Sequence, residues 1–232
     1  MRSLAGIPTI EWSYNQSAVA ASFAHSLPHR DTSIEMHRQA GPLTTVPMRD
    51  GRSSLVWMDR PDRAKALVAM TETDFARALQ AELHGELGLV SQTGPRRAFP
   101  MRGLAATAFA RNRVFLLGEA AHAIPPVGAQ GLNLSLRDAA TAAEVISGAL
   151  ASGTDPGSRA AMADYDRRRR RDVAPRIGVV DLVNRSLLSG FALPHVARAL
   201  GLALASGLAP VRQAVLRHGV GLGEDLPAAM RG

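Results

Sequence analysis

The chain has 232 residues, of which 46% are hydrophobic and none is cysteine. That length makes one large or two small domains, and the missing cysteines exclude disulfides, thiolate metal ligands and a Cys nucleophile and fit a reducing compartment. The net charge is +7, carried almost wholly by arginine (Lys65 is the single lysine), and with two Trp, two Tyr and no interleaving of aromatic with basic residues it reads as compositional bias. Nucleic acid is therefore not an expected partner.

The first stretch, MRSLAGIPTIEWSYNQ, has no apolar core of the kind a secretory signal needs. From Thr9 onward Ile10, Trp12 and Tyr14 alternate with Thr9, Glu11 and Ser13, which predicts a strand of about five to eight residues with its apolar side on the even positions. The phase continues through Ala18, Ala20 and Ser22. Residues 28–31 read as a turn, 32–37 as a further short strand, and Gly41-Pro42 as another turn. Residues 43–48 and 53–58 predict a hairpin around Arg49-Asp50-Gly51-Arg52, with Gly51 free to take positive φ. A helix is expected over 72–87, capped by Thr71 or Thr73, with Phe75, Leu79, Leu83 and Leu87 as its packing stripe. Residues 96–109 form an apolar stretch interrupted by Pro100.

Residues 113–138, RVFLLGEAAHAIPPVGAQGLNLSLRD, carry the strongest pattern. The run Val114-Phe115-Leu116-Leu117, ended by Gly118, predicts a short buried strand. A loop with Pro125, Pro126, Gly128 and Gly131 follows. A helix is then expected from about 132 to 150, with Leu132, Leu136, Ala139, Ala140, Ala143 and Ile146 on its buried face. Strand, glycine-containing loop and helix N-terminus together present free N–H groups and the positive end of a helix dipole, which suits an electron-rich ligand edge.

A second helix is expected over 158–174. Its run Arg167–Arg171 winds round every face, since successive residues sit roughly 100° apart, and reads as a solvated segment paired to Asp164, Asp166 and Asp172. Pro175 is expected to kink or break it. The tail, 176–218, is helical in pattern and divided by Gly190, Pro194, Gly207 and Pro210. Its apolar stretch between Arg198 and Arg212 is too short to span a bilayer. It suits either a core helix or an interfacial one with arginines at anionic headgroups. The seven histidines show no HxxxH or HExxH spacing and no Walker loop occurs, so no metal or nucleotide-triphosphate site is expected.

The stretch GEAAHAIPPVGAQGLN resembles the second flavin-binding motif of the FAD-dependent aromatic hydroxylases, GDAAHxxxPxxGxGxN. Gly118, Ala120, Ala121, His122, Pro126, Gly128, Gly131 and Asn133 match, while Glu119 stands where the family most often has Asp. Within that group the flanking residues look most like the bacterial ubiquinone-biosynthesis hydroxylases. The resemblance implies FAD as cofactor, NADH or NADPH as electron donor, O₂ as oxidant, and an electron-rich ring as substrate, a polyprenylated phenol or quinone precursor. It implies cofactor contacts at Gly118, Glu119, Pro126, Gly128, Gln130, Gly131, Leu132 and Asn133. Glu119 would accept from the ribityl hydroxyls, its extra CH₂ moving the carboxylate out by about 1.5 Å relative to Asp. Pro126 would line the flavin edge, and the Gly131-Leu132-Asn133 amides would face the pyrimidine side. His122 is expected to pack behind these contacts, and no catalytic residue is assigned.

The family also opens with a GxGxxG that binds the ADP half of FAD; no GxGxxG occurs in this sequence. The chain thus resembles the C-terminal half to two-thirds of such an enzyme. The expected fold is α+β (or α/β): an antiparallel substrate sheet with one packing helix over 1–109, the C-terminal part of the FAD domain over 110–174, and a helical tail over 175–232. A cytoplasmic protein fits, with peripheral contact at the inner membrane, a homo-oligomer or a biosynthetic complex left open. The alternative reading is an inactive remnant or binding module whose basic tail meets a membrane surface.

Overall fold

The computed structural model describes residues 2–126, 130–188 and 227. It divides into two compact units: Ser13–Met101, and Met1–Trp12 together with Arg102–Gly232. The sequence reading drew its first division at 109/110. Strand β1 (Thr9–His25) and the later strand Arg97–Ala106 each run across a division between the units.

The unit Ser13–Met101 is an antiparallel sheet covered by two helices. Its strands are β1, β2 (Ile34–Met36), β3 (Leu43–Pro47), β4 (Arg52–Asp59) and β5 (Val90–Ser91). β4 pairs with β1 from Ser17↔Asp59 to Ala24↔Arg52, β3 with β4 from Leu43↔Trp57 to Pro47↔Ser53, and β2 with β3. β5 pairs with the end of β1. The expected hairpin forms as β3–β4. Its turn is closed by the Met48 N–H donating to the Arg52 carbonyl at 2.9 Å, with φ of 61° at Asp50 and 64° at Gly51. Two successive positive φ values match the right-handed twist of the flanking strands, which is why Asp-Gly serves here.

Strand β1 is longer than expected, and its phase changes along its length. Tyr14 is buried and Trp12 half-buried as predicted, but Ile10 is 63% exposed. Further along, the odd residues Val19 and Phe23 enter the hydrophobic core with Leu43, Leu55, Trp57, Leu67 and Phe75. The even residue Ala18 is buried too. A strand covered on both faces loses its period-two signature, so alternation near Ile10 could not be extrapolated.

Helix α1 (Pro61–Ala69) was not expected, although Pro61 at its first turn and Asp62 beside it are ordinary start signals. Helix α2 (Glu72–Glu82) begins as predicted: the Thr71 hydroxyl accepts the Asp74 N–H at 3.1 Å. It ends earlier than expected, because His84 and Gly85 turn to positive φ. Phe75, Leu79, Leu83 and Leu87 are nevertheless all fully buried. Arg38 closes the edge of this core. Its guanidinium lies 5.1 Å from the Trp57 ring centroid and pairs with Asp59 and Glu82.

The other unit holds β6 (Arg97–Ala106) from Arg102 on, the hairpin β7 (Ala110–Arg111) and β8 (Val114–Phe115), β9 (His122–Ala123), and helices α3 (Gln130–Ala151) and α4 (Arg159–Leu188). β9 pairs with β6 through Leu104↔Ala123 and Ala105↔His122. The predicted buried strand at 114–117 is only the second arm of this small hairpin. Leu116 is buried, but Val114 and Phe115 are half-buried and Leu117 is exposed.

Two corrections concern the helices. The face of α3 expected inside, led by Leu132 and Leu136, is outside, at 71% and 51% exposure. The buried face is Leu134, Arg137, Asp138, Thr141, Ala142, Val145 and Ala149. Pattern counting chose the more apolar stripe, whereas ion pairs to α4 allow Arg137 and Asp138 to lie on the inner face beside Leu134, Ala142 and Val145. The second correction is that α4 runs unbroken through Pro175. Pro175 removes the hydrogen bond its own N–H would have made, and its ring crowds the carbonyl four residues back. Across that point Asp172 is held by Arg169 three residues before it and Arg176 four residues after it, at 2.9 and 3.0 Å. The helix accounts for the tail's first residues; the rest of the predicted tail, apart from Pro227, lies outside the described residues.

Candidate functional site

The site is built on the turn after β8. Gly118 opens a 3-10 turn, Gly118–Ala120, with φ +55°. Glycine is used because a side chain at this φ is strained and because an added Cβ would meet Ser135 Oγ at 2.9 Å. The turn is closed by the Ala121 N–H donating to the Gly118 carbonyl at 2.8 Å and the Ala120 N–H to the Leu117 carbonyl at 3.2 Å. Arg2 Nη1 donates to the Ala120 carbonyl at 2.9 Å and to that of Glu119 at 3.3 Å, tying the N-terminal segment to it.

Behind the turn lies a buried polar network. Asp138, wholly buried on α3, accepts the Gly118 N–H at 2.7 Å and His122 Nε2 at 2.8 Å on one carboxylate oxygen. A carboxylate only accepts, so Nε2 carries the proton. The other oxygen of Asp138 accepts Arg169 Nε at 2.7 Å. Arg169 passes on to Asp172 at 2.9 Å, and Arg137 and Arg176 converge on Asp172 at 2.7 and 3.0 Å. Burial pushes the Asp172 carboxyl up, but hydrogen bonding from Arg176 and the charges and bonds of Arg169 and Arg137 outweigh it and hold it below the ordinary carboxylate value.

Helix α4 also ties down the chain leading into the turn. Tyr165 OH donates to the Leu116 carbonyl at 2.8 Å, and the Phe109 N–H donates to Asp166 at 2.6 Å. Burial first, and then the nearby Asp138 charge, raises the Tyr165 phenol above its usual value, so it stays a donor. The five-arginine run divides accordingly. Arg167, Arg168 and Arg170 make the expected local pairs with Asp164 and Asp166, and Arg168 also reaches Glu144. Arg169 is 2% exposed and structural, contrary to the solvated reading of the run.

The predicted contact residues fall into three groups. Gly118 is buried, while the Glu119 side chain is exposed and has no hydrogen bond or ion pair among the described residues. Pro126 is exposed and Pro125 buried; Gly128 lies outside the described residues. Gln130, Gly131, Leu132 and Asn133 form the first turn of α3, with Gly131, Leu132 and Asn133 exposed. A Cβ on Gly131 would meet nothing within 4 Å among the described residues. The turn and the first half of α3 pack together, Gly118 lying against Ser135 and Asp138. Sequence reasoning missed Asp138, Arg169, Tyr165 and Asp172. The available hints were charges at 137 and 138 in an Ala- and Leu-rich helix and the i, i+4 spacing of Tyr165 and Arg169, which the arginine run conceals.

A family model described as "FAD binding domain" matches residues 5–177. The ubiquinone hydroxylase UbiL of Rhodospirillum rubrum is 34% identical over 235 residues, covering 100% of this chain and 55% of that protein. The mitochondrial ubiquinone biosynthesis monooxygenase COQ6 of Xenopus tropicalis is 30% identical over 251 residues, 93% of this chain and 54% of that one. The chain therefore spans about half the length of the curated relatives it matches. Among solved structures the Diels-Alderase PyrE3 superposes with a TM-score of 0.75 at 20% identity, over 97% of this chain and 48% of that one, a likeness of fold. The chain belongs to the FAD-binding family of the FAD-dependent aromatic hydroxylases.

Proposed function

We propose that this member of the FAD-dependent aromatic hydroxylases holds the flavin end of FAD on the Gly118–Asn133 loop and serves the hydroxylation of an aromatic ring. The observation that carries the reading is the pairing of two complementary features on one loop. One is an exposed acceptor, the Glu119 carboxylate, which has no hydrogen bond or ion pair among the described residues; the other is the start of the 22-residue helix α3, where Gly131, Leu132 and Asn133 are exposed at the end that carries a helix's spare N–H donors. That donor set fits a ligand with hydroxyls at one place and an electron-rich, anion-forming edge at another.

Bound FAD supplies the oxygen-activating redox chemistry. The chain's own residues bind and orient. Glu119 accepts from ribityl hydroxyls. Gly131, Leu132 and Asn133 would offer amides to the pyrimidine side, where a helix N-terminus favours negative charge by about 0.3–1 kcal/mol, more when partly buried. Gln130 and Pro126 border the ring. NADH or NADPH is the proposed donor. The substrate proposed is a polyprenylated phenol or quinone precursor, because the relatives that match along this chain are named for ubiquinone biosynthesis.

The test is equilibrium FAD titration of the purified chain, followed by flavin fluorescence and visible absorbance. Saturable binding that Glu119→Gln weakens is expected. A folded chain that takes up no FAD overturns the reading.

A further inference from the structure

We propose that Asp138 is a positioning residue for the cofactor-contacting turn, acting by pinning both ends of the Gly118–His122 arch to one buried carboxylate oxygen. The inference rests on the FAD-binding reading for its functional consequence, though not for its geometry.

A carboxylate with no exposure is costly unless its lone pairs are filled by charge-assisted partners. Asp138 fills them from three elements. Oδ2 takes the Gly118 N–H at 2.7 Å and His122 Nε2 at 2.8 Å; Oδ1 takes Arg169 Nε at 2.7 Å. Gly118 is the first residue of the turn and His122 the first residue of β9 after it. The three residues between them thus span a fixed gap, with Glu119 at the exposed crest. Gly118 adopts φ +55°, and its N–H is aimed at the buried carboxylate. Arg169 stops the carboxylate from rotating, and Asp172 in turn holds Arg169 at 2.9 Å.

A neutral side chain would not do the same work. Asparagine has one acceptor oxygen where the site presents donors on both sides, so one donor would face an NH₂ group. The role of Asp138 is therefore exerted through the turn backbone: wholly buried, it sets where the Glu119 carboxylate stands without itself reaching the surface.

The test uses the full chain in two arms. The first needs no ligand: amide hydrogen exchange in Asp138→Asn against the parent. Exchange at Gly118 and Ala121 is expected to speed up by about tenfold or more, as loss of a charge-assisted bond implies. The amides of the β3–β4 hairpin, in the other unit, serve as unchanged controls. The second arm is a double-mutant cycle on FAD affinity with Glu119→Gln. Asp138→Asn is expected to weaken FAD about tenfold, and the Glu119→Gln effect is expected to shrink in its background. If Asp138→Asn does not fold, His122→Phe removes one pin only. Faster exchange at Ala121, and at Ala106, whose N–H donates to the Ala121 carbonyl at 2.7 Å, is then expected. Unchanged exchange in a folded variant overturns the positioning role, and so do two affinity losses that simply multiply. A parent chain that binds no FAD, with exchange responding as expected, overturns the FAD reading and leaves the pin in place.

Discussion

Replacing Gly118 by Ala tests the two physical reasons for glycine at the head of the turn. The first is conformational: at φ +55° an L side chain costs roughly 1–2 kcal/mol. The second is steric. The new Cβ would stand 2.9 Å from Ser135 Oγ and 3.3 Å from Ser135 Cβ. The hydroxyl can swing away, but it then gives up its bond to the Gly131 carbonyl, 2.8 Å long, at about 0.5–1.5 kcal/mol. The sum is a loss of about 1.5–3.5 kcal/mol, a fall in Tm of about 3–14 °C for a chain of this size. Thermal and urea unfolding followed by circular dichroism measure it. In a Ser135→Ala background the clash with Oγ and the loss of its hydrogen bond disappear; the 3.3 Å approach to Cβ stays and needs a shift of a few tenths of an ångström, so the loss should fall to little more than the conformational part, about 1–2 kcal/mol. A Gly118→Ala loss below about 0.5 kcal/mol refutes the conformational argument, since that is the scatter of innocuous substitutions. An equal loss in both backgrounds refutes the steric one.

Tyr165→Phe should destabilise by about 1–3 kcal/mol by urea unfolding, because it strands the buried Leu116 carbonyl. Alkaline titration should show one of the two tyrosines ionising late, and its contribution to stability should be present below the ordinary Tyr value and lost as pH rises above it. Asp172 works in the opposite sense. Its folded pKa is depressed, so its stabilisation is present above the unfolded value, about 4, and is lost as pH falls through the lower folded value. Acid unfolding of the parent should therefore be steeper below about pH 4 than that of Asp172→Asn. Phe75→Ala should cost about 3–5 kcal/mol, since the ring is wholly buried between Trp57 and the Arg96 guanidinium. Unfolding monitored by Trp fluorescence reports this loss directly.

Local chemistry made much of this architecture legible from the residues. Thr71 could be read as a cap because its hydroxyl needs only the amide three residues on. The β3–β4 turn was readable because Asp50-Gly51 tolerates two positive φ values in succession. The stripe Phe75-Leu79-Leu83-Leu87 was readable because its buried face is purely apolar. The candidate contact loop was picked out by motif likeness, and the structure leaves its Glu119 and Gly131, Leu132 and Asn133 exposed. Elsewhere the same rules pointed the wrong way. The inner face of α3 carries Arg137, Asp138 and Thr141, and no count of apolar residues selects such a face.

The sequence alone determined the elements whose causes lie within a few residues: turns, caps and the helix spans near 72 and 130. Only the tertiary structure decided which faces are inside. Asp138 is 31 residues from Arg169 and 16 from His122, yet all three meet at hydrogen-bond distance. Whether a charge is solvated or buried depends on the partner that arrives from elsewhere in the chain. That is why Arg169 could not be told from its four neighbours in sequence, and why α4 continues past Pro175 instead of ending there.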